Sequence, residues 1–198
     1  MLFLICLVVT VALVLTYNLT KDKIEERAML DSENAKREVL GDMDKFENID
    51  NIDLIKEEIL KNDPDKGSLR LIKEAYIGIK SGQEHGYVFL VTVNGYGGEI
   101  DLMIGINMDG KITGVKVIKH SETPGLGSKA TNDDFLSQFI DITPTENLNV
   151  IKGQKTKPEE ISAVSGATIS SRAIASAVQS ACDMAAELNN MKSESSAK

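Results

Sequence analysis

The chain has 198 residues, a formal net charge of −8 and 42% hydrophobic residues. An acidic chain lacks the basic face that phosphate backbones require, so nucleic acid is excluded as a partner. The two cysteines, Cys6 and Cys182, fall in separate apolar patterns and only two histidines accompany them. That set argues against a disulfide and against a zinc or iron–sulfur site made by this chain alone.

Residues 1–17, MLFLICLVVTVALVLTY, carry no charged side chain. A run of that length approaches the roughly 20 apolar residues that a bilayer core requires. No positive n-region precedes it and no small-x-small cleavage site follows, so an uncleaved transmembrane anchor over 1–19 is expected instead of a secretory signal. Lys21, Lys23 and Arg27 follow the span, and the positive-inside rule alone would put the remainder in the cytoplasm. Asp22, Glu25 and Glu26 are interleaved with them.

A helical stalk is expected over 20–66. Ile24, Ala28, Ala35, Val39 and Met43 form a broken apolar stripe, and a second short helix from Asn51 places Ile52, Ile55 and Ile59 on one face before Asp63-Pro64 ends it. The main domain is expected over 67–189. LIKEAYIGIK and YVFLVTVNGYG have the β-branched and aromatic texture of strands. In EIDLMIGINMDGKITGVKVIKH, Asp109-Gly110 predicts a type I′ hairpin turn between alternating apolar residues. A Pro-Gly loop (SETPGLGSKA), a short helix capped by Asn132, a short strand NVIKG and a last helix from about Ser170 to Asn189 complete it. The tail, 190–198, reads as disordered. The fold class is therefore α+β, with an N-terminal transmembrane helix and stalk, a mainly antiparallel sheet and a C-terminal helix.

The segment VSGATISSRA, 164–173, is small and polar, and it opens the last helix. Helix N-termini expose unpaired N–H groups and the positive end of the macrodipole. Ser165, Gly166, Ala167, Thr168, Ser170 and Ser171 therefore form a candidate phosphate cradle. An ordinary helix cap is the plain alternative. An anchored binding or signalling module for a phosphorylated ligand fits these residues as well. No GxGxxG follows a strand, so no nicotinamide site is expected.

Two motifs carry a resemblance. SGATIS resembles the flavinylation motif of the FMN-binding domain found in the G subunit of the Rnf complex and in the C subunit of the sodium-translocating NADH:quinone reductase. NGYGG, followed by a strand pair and HSETPGLG, resembles the second signature of that family. The resemblance implies a covalent FMN, joined through its phosphate to a hydroxyl by a flavin transferase. Thr168, which would open the first helical turn beside the free N–H groups, is the preferred attachment point, and Ser170 is the alternative. Ser165, Gly166, Ala167 and Ile169 would border the phosphate. Glu122, Thr123, Gly125, Leu126 and Gly127 would hold the ring, with Tyr96 packed on it. His120 at a strand end is expected to be structural. The family has Asp where Ser162 stands, and Glu159 or Glu160 is expected to substitute. The resemblance further implies a single-pass membrane subunit with its soluble domain outside the cytoplasm. It would carry electrons within a ferredoxin:NAD oxidoreductase coupled to Na+ or H+ translocation, beside the A, B, C, D and E subunits of that complex. Independent catalytic activity is not expected.

Overall fold

The computed structural model describes residues 2–196. The chain divides into two compact units, Met1–Ala35 and Lys36–Lys198. The first is helical throughout its described length, within α1 (Leu2–Leu40). Among the described residues no helix is long and apolar enough to cross a membrane. The anchor over 1–19 therefore stays an expectation from the sequence alone; Met1 lies outside the described residues.

The second unit starts at Lys36, well before the expected boundary at 67. The reason is that residues expected in the stalk pack into the domain. After the last turn of α1 come β1 (Lys45–Asn48), α2 (Ile52–Asn62) and a 3-10 segment (Pro64–Leu71). β2 (Ile72–Lys80), β3 (Gln83–Asn94), β4 (Glu99–Asn107) and β5 (Ile112–His120) follow. The five strands form one antiparallel meander in the order β1-β2-β3-β4-β5. The polar strand KFEN gives no apolar alternation from which its pairing could be read.

One sheet face is apolar along its whole width. Tyr87, Phe89, Val91 and Val93 of β3 pair with Ile106, Ile104, Leu102 and Ile100 of β4. Beyond them lie Ile112, Val115 and Val117 of β5. Against this face packs α4 (Thr168–Ser196), through Ile174, Ala177, Val178, Ala181, Ala185 and Leu188. The helical period predicts this stripe, and its alanines let helix and sheet approach closely. Ile52 and Ile59 of α2 join the same core, as their spacing predicts.

The opposite face receives the end of α1. A Cβ built on Gly105 or Gly114 would overlap the backbone of Val39, and one on Gly78 or Gly86 would overlap the Leu40 side chain. The Thr113 hydroxyl donates to the Val39 carbonyl, Lys116 pairs with Glu38, and the Lys36 ammonium lies 3.6 Å from the Tyr76 ring centroid. Gly41, at φ +92°, ends the helix in the left-handed conformation, its N–H donating to the Arg37 carbonyl at 2.8 Å.

Several local expectations change. Asp109-Gly110 is not a type I′ turn: Gly110 alone has positive φ, and its N–H closes a turn onto the Asn107 carbonyl at 3.0 Å. The Asn107 side chain accepts from the N–H groups of Asp109 and Lys111, which stabilises this loop. The two-residue turn with both φ values positive is Ser81-Gly82, between β2 and β3. Asn132 precedes α3 (Asp133–Leu136) without a side-chain capping bond; its backbone carbonyl takes the N–H groups of Phe135 and Leu136 instead. The last helix continues to Ser196, where the composition predicts a disordered tail from 190. Lys192 explains part of this, since it pairs with Glu84 and lies over the Tyr87 ring. The short strand NVI is β6 (Asn149–Ile151), and it pairs in parallel with an unexpected β7 (Glu160–Ser162).

Candidate functional site

Three segments far apart in sequence meet at one cleft of about 440 Å3. Tyr96 comes from the turn between β3 and β4. Thr123, Leu126 and Gly127 come from the loop after β5. Gly166, Ala167, Thr168, Ile169 and Ser170 come from the entry of α4. The volume lies within the roughly 300–1,000 Å3 of small-molecule and cofactor sites. Two wider hollows, of about 650 and 640 Å3, lie beside α4 and along α2, lined largely by charged and polar surface side chains. Neither takes in the entry of α4.

The floor of the cleft is the first turn of α4. Gly166, at φ +81°, turns the chain, and the Ala167 N–H closes onto the Val164 carbonyl at 2.9 Å. The residue before the helix is thus Ala167, whose methyl group cannot cap. Ser171 does the local bonding: its hydroxyl accepts from the Val164 N–H at 3.1 Å and donates to the Ala167 carbonyl at 2.9 Å. Its own N–H reaches the Ala167 carbonyl. The N–H groups of Thr168, Ile169 and Ser170 are therefore the ones left over at the positive end of the helix. The Thr168 side chain is half-buried, whereas Ser170 is fully buried and its hydroxyl has no hydrogen-bond partner. An orphaned buried hydroxyl costs about 1–3 kcal/mol, so its presence at the floor of a cleft points to a ligand that satisfies it.

The walls are mixed. Tyr96, Leu126 and Ile169 line the cleft yet are 74%, 53% and 56% exposed, an apolar rim of the kind a flat aromatic ligand covers. Gly125 at φ +78° makes the Pro124-Gly125 turn, and its N–H donates to the Ser128 hydroxyl at 2.9 Å.

Nine of the twelve expected site residues line the cleft. The exceptions are Ser165, which is exposed, Gly125, which shapes the turn, and Glu122, which is buried behind the wall. His120 is outside the cleft, and its Nδ1 accepts the Glu122 N–H at 3.3 Å, a turn-closing role. Glu159 and Glu160 are occupied by local bonds. The Glu160 carboxylate accepts from Thr156 and Lys157, and these bonds hold its carboxyl below the usual range. Glu159 is similarly lowered, by its own backbone N–H and the Thr145 hydroxyl. Ser162 lies in β7 with its hydroxyl donated to the Gly153 carbonyl. Ser171, expected in the phosphate cradle, does not line the cleft and takes the plain alternative role of a local cap.

A glycine-bordered cleft over a helix N-terminus, with orphan donors below and an apolar rim above, defines a binding domain suited to a phosphorylated ligand with a flat apolar part, and the FMN-binding domain family model matches residues 95–183. The chain is 38% identical over 181 residues to the G subunit of the Na+-translocating ferredoxin:NAD+ oxidoreductase complex of Acetobacterium woodii, across 89% of this chain and 84% of that one. It is 35% identical over 173 residues to the G subunit of the ion-translocating oxidoreductase complex of Methanosarcina acetivorans, across 86% and 84%. The chain belongs to the G-subunit family of ion-translocating oxidoreductase complexes. Among solved structures, the C subunit of the Na+-translocating NADH-quinone reductase of Parabacteroides distasonis superposes with a TM-score of 0.49 at 20% identity, over 59% of this chain and 62% of that one.

Proposed function

We propose that this chain is a membrane-anchored electron-carrier subunit, bearing FMN in a phosphoester to Thr168, within an oxidoreductase that couples electron transfer from ferredoxin to NAD+ with ion translocation. The observation that carries this reading is the junction of three loops over the free N–H groups of α4, with the Ser170 hydroxyl orphaned beneath. The residues fit the group. N–H donors and helix dipole suit a phosphate, and the apolar rim of Tyr96, Leu126 and Ile169 suits a flat ring.

The flavin supplies the one- and two-electron chemistry, and the chain supplies attachment, orientation and electrostatics. Thr168 presents its hydroxyl at the cleft, half-buried, where a flavin transferase can reach it. Ser170, two residues on, is fully enclosed and suited to donating a hydrogen bond. Thr123 and the backbone of Gly127 border the opposite wall and would fix the ring against swinging on its ribityl arm. Electrons would enter and leave through neighbouring subunits of the complex, the flavin of the D subunit among them. The domain would stand outside the cytoplasm, anchored by the apolar run at 1–19.

Intact-mass measurement of the protein made beside its flavin transferase tests the reading. The expected gain is one FMN less one water. An unchanged mass, with flavin released on denaturation, would leave a non-covalent phosphate-ligand module instead.

A further inference from the structure

Glu122 is a charged side chain buried to 5% exposure beside the cleft but not lining it. Its Oε1 accepts the Tyr96 N–H at 2.8 Å and the Gly97 N–H at 3.3 Å. Its Oε2 is buried and without a hydrogen-bond partner. The carboxylate is held between two glycines. A Cβ on Gly95 would overlap Oε1, and one on Gly127 would overlap Oε2. Neither glycine has positive φ, so both are there for the space that Glu122 occupies. Gly127 and Thr123, on either side of this contact, face the cleft.

We infer that Glu122 is a positioning residue that pins the Tyr96–Gly97 turn to the 123–127 loop and sets a negative charge behind the cleft wall, lowering the reduction potential of a flavin seated there. The charge half of this rests on the flavin reading above; the pin does not. Burying a carboxylate with one oxygen unpaired costs free energy that an apolar plug would avoid. Its retention makes sense where the charge acts. Electrons added to a ring increase its negative charge, and a carboxylate on the far side of a glycine opposes that through a medium with little water to screen it. The pin in turn keeps Tyr96, otherwise mostly exposed, at the rim of the cleft.

Four variants test both halves in the full-length chain: Glu122→Gln, Glu122→Ala, Gly127→Ala and the last two combined. In protein made without the transferase, hydrogen exchange reads the pin. The Tyr96 and Gly97 amides should be protected in the wild type and in Glu122→Gln, whose side-chain carbonyl can still accept. In Glu122→Ala they should exchange about tenfold faster or more, the factor expected for losing a bond to a charged group. Gly127→Ala should expose them likewise by displacing the carboxylate, and adding Glu122→Ala to it should bring no further change, because the bonds from Glu122 to these amides are already lost. In flavin-loaded protein the midpoint potential should rise in Glu122→Gln with the flavin still covalently bound. Wild-type amides as fast as those of Glu122→Ala would overturn the pin. Equal potentials in wild type and Glu122→Gln would overturn the charge effect. A wild type that carries no flavin is seen first on a denaturing gel; it removes the charge half, and the exchange data still decide the pin.

Discussion

Thr168 and Ser170 both line one cleft, yet their surroundings assign them different work. Thr168 is half-buried and its side chain stands beside unpaired N–H groups; Ser170 is sealed and orphaned. Thr168→Ala should therefore abolish covalent flavin, read as in-gel fluorescence after denaturation. Ser170→Ala should keep the fluorescence but loosen the bound ring, seen as a shifted absorption band and faster quenching by solutes. Loss of fluorescence in Ser170→Ala and its retention in Thr168→Ala would move the attachment to Ser170. The six residues SGATIS make this end of the site legible in the sequence through their resemblance to a known motif, because small residues and hydroxyls at a helix entrance serve equally well as an ordinary cap. The burial difference between the two hydroxyls is not legible there, since burial is set by tertiary packing and not by the local sequence. Glu122 is legible as a site residue but not in its role. Only the meeting of the β3–β4 turn and the loop after β5 reveals that Gly95 and Gly127 are cut to its shape.

At the scale of elements, the sheet is readable from alternation and α4 from its period, whereas the row of glycines under the end of α1 is not. Gly105 and Gly114 are paired neighbours on β4 and β5, and each faces Val39 backbone atoms. Read along the strands they look like weaknesses. Valine would improve strand propensity by less than about 1 kcal/mol. Against that stands overlap with a backbone that cannot rotate aside, for which overpacking costs about 1–3 kcal/mol or more. The clash wins, so Gly105→Val or Gly114→Val should lower the melting temperature, by about 2–4 °C for each kcal/mol in a domain of this size. Gly67→Ala is the control: nothing lies within 4 Å of its Cβ and its φ is not positive, so its stability should be unchanged or slightly raised. The last helix gives a second prediction. Cys182 sits on its inner side, and burial pushes its thiol up to about 12. With Cys6→Ser removing the other thiol, a thiolate-directed reagent at about pH 8 should leave the native protein unmodified and react fully only after unfolding. Rapid labelling of the native protein would show that α4 opens locally.

For the whole molecule, the side of a membrane on which the proposed anchor would place the domain is where two physical arguments conflict. The apolar run is followed by Lys21, Lys23 and Arg27, and the positive-inside rule counts those cations and puts the domain in the cytoplasm. Three cations interleaved with Asp22, Glu25 and Glu26, however, form a weak signal. The site argues the other way. A carrier in the cytoplasm could hold FMN by phosphate contacts and exchange it with a free pool; a carrier outside has no such pool, and the proposed phosphoester to Thr168 would give it a bond that does not dissociate. We therefore expect the domain outside. Alkaline phosphatase, which folds only after export, should be active when fused after Lys198, and a fluorescent reporter that matures only in the cytoplasm should stay dark. The reverse pattern would restore the charge rule and remove the reason for a permanent tether, while the Thr168 and Glu122 experiments, which concern the cleft alone, would keep their own outcomes.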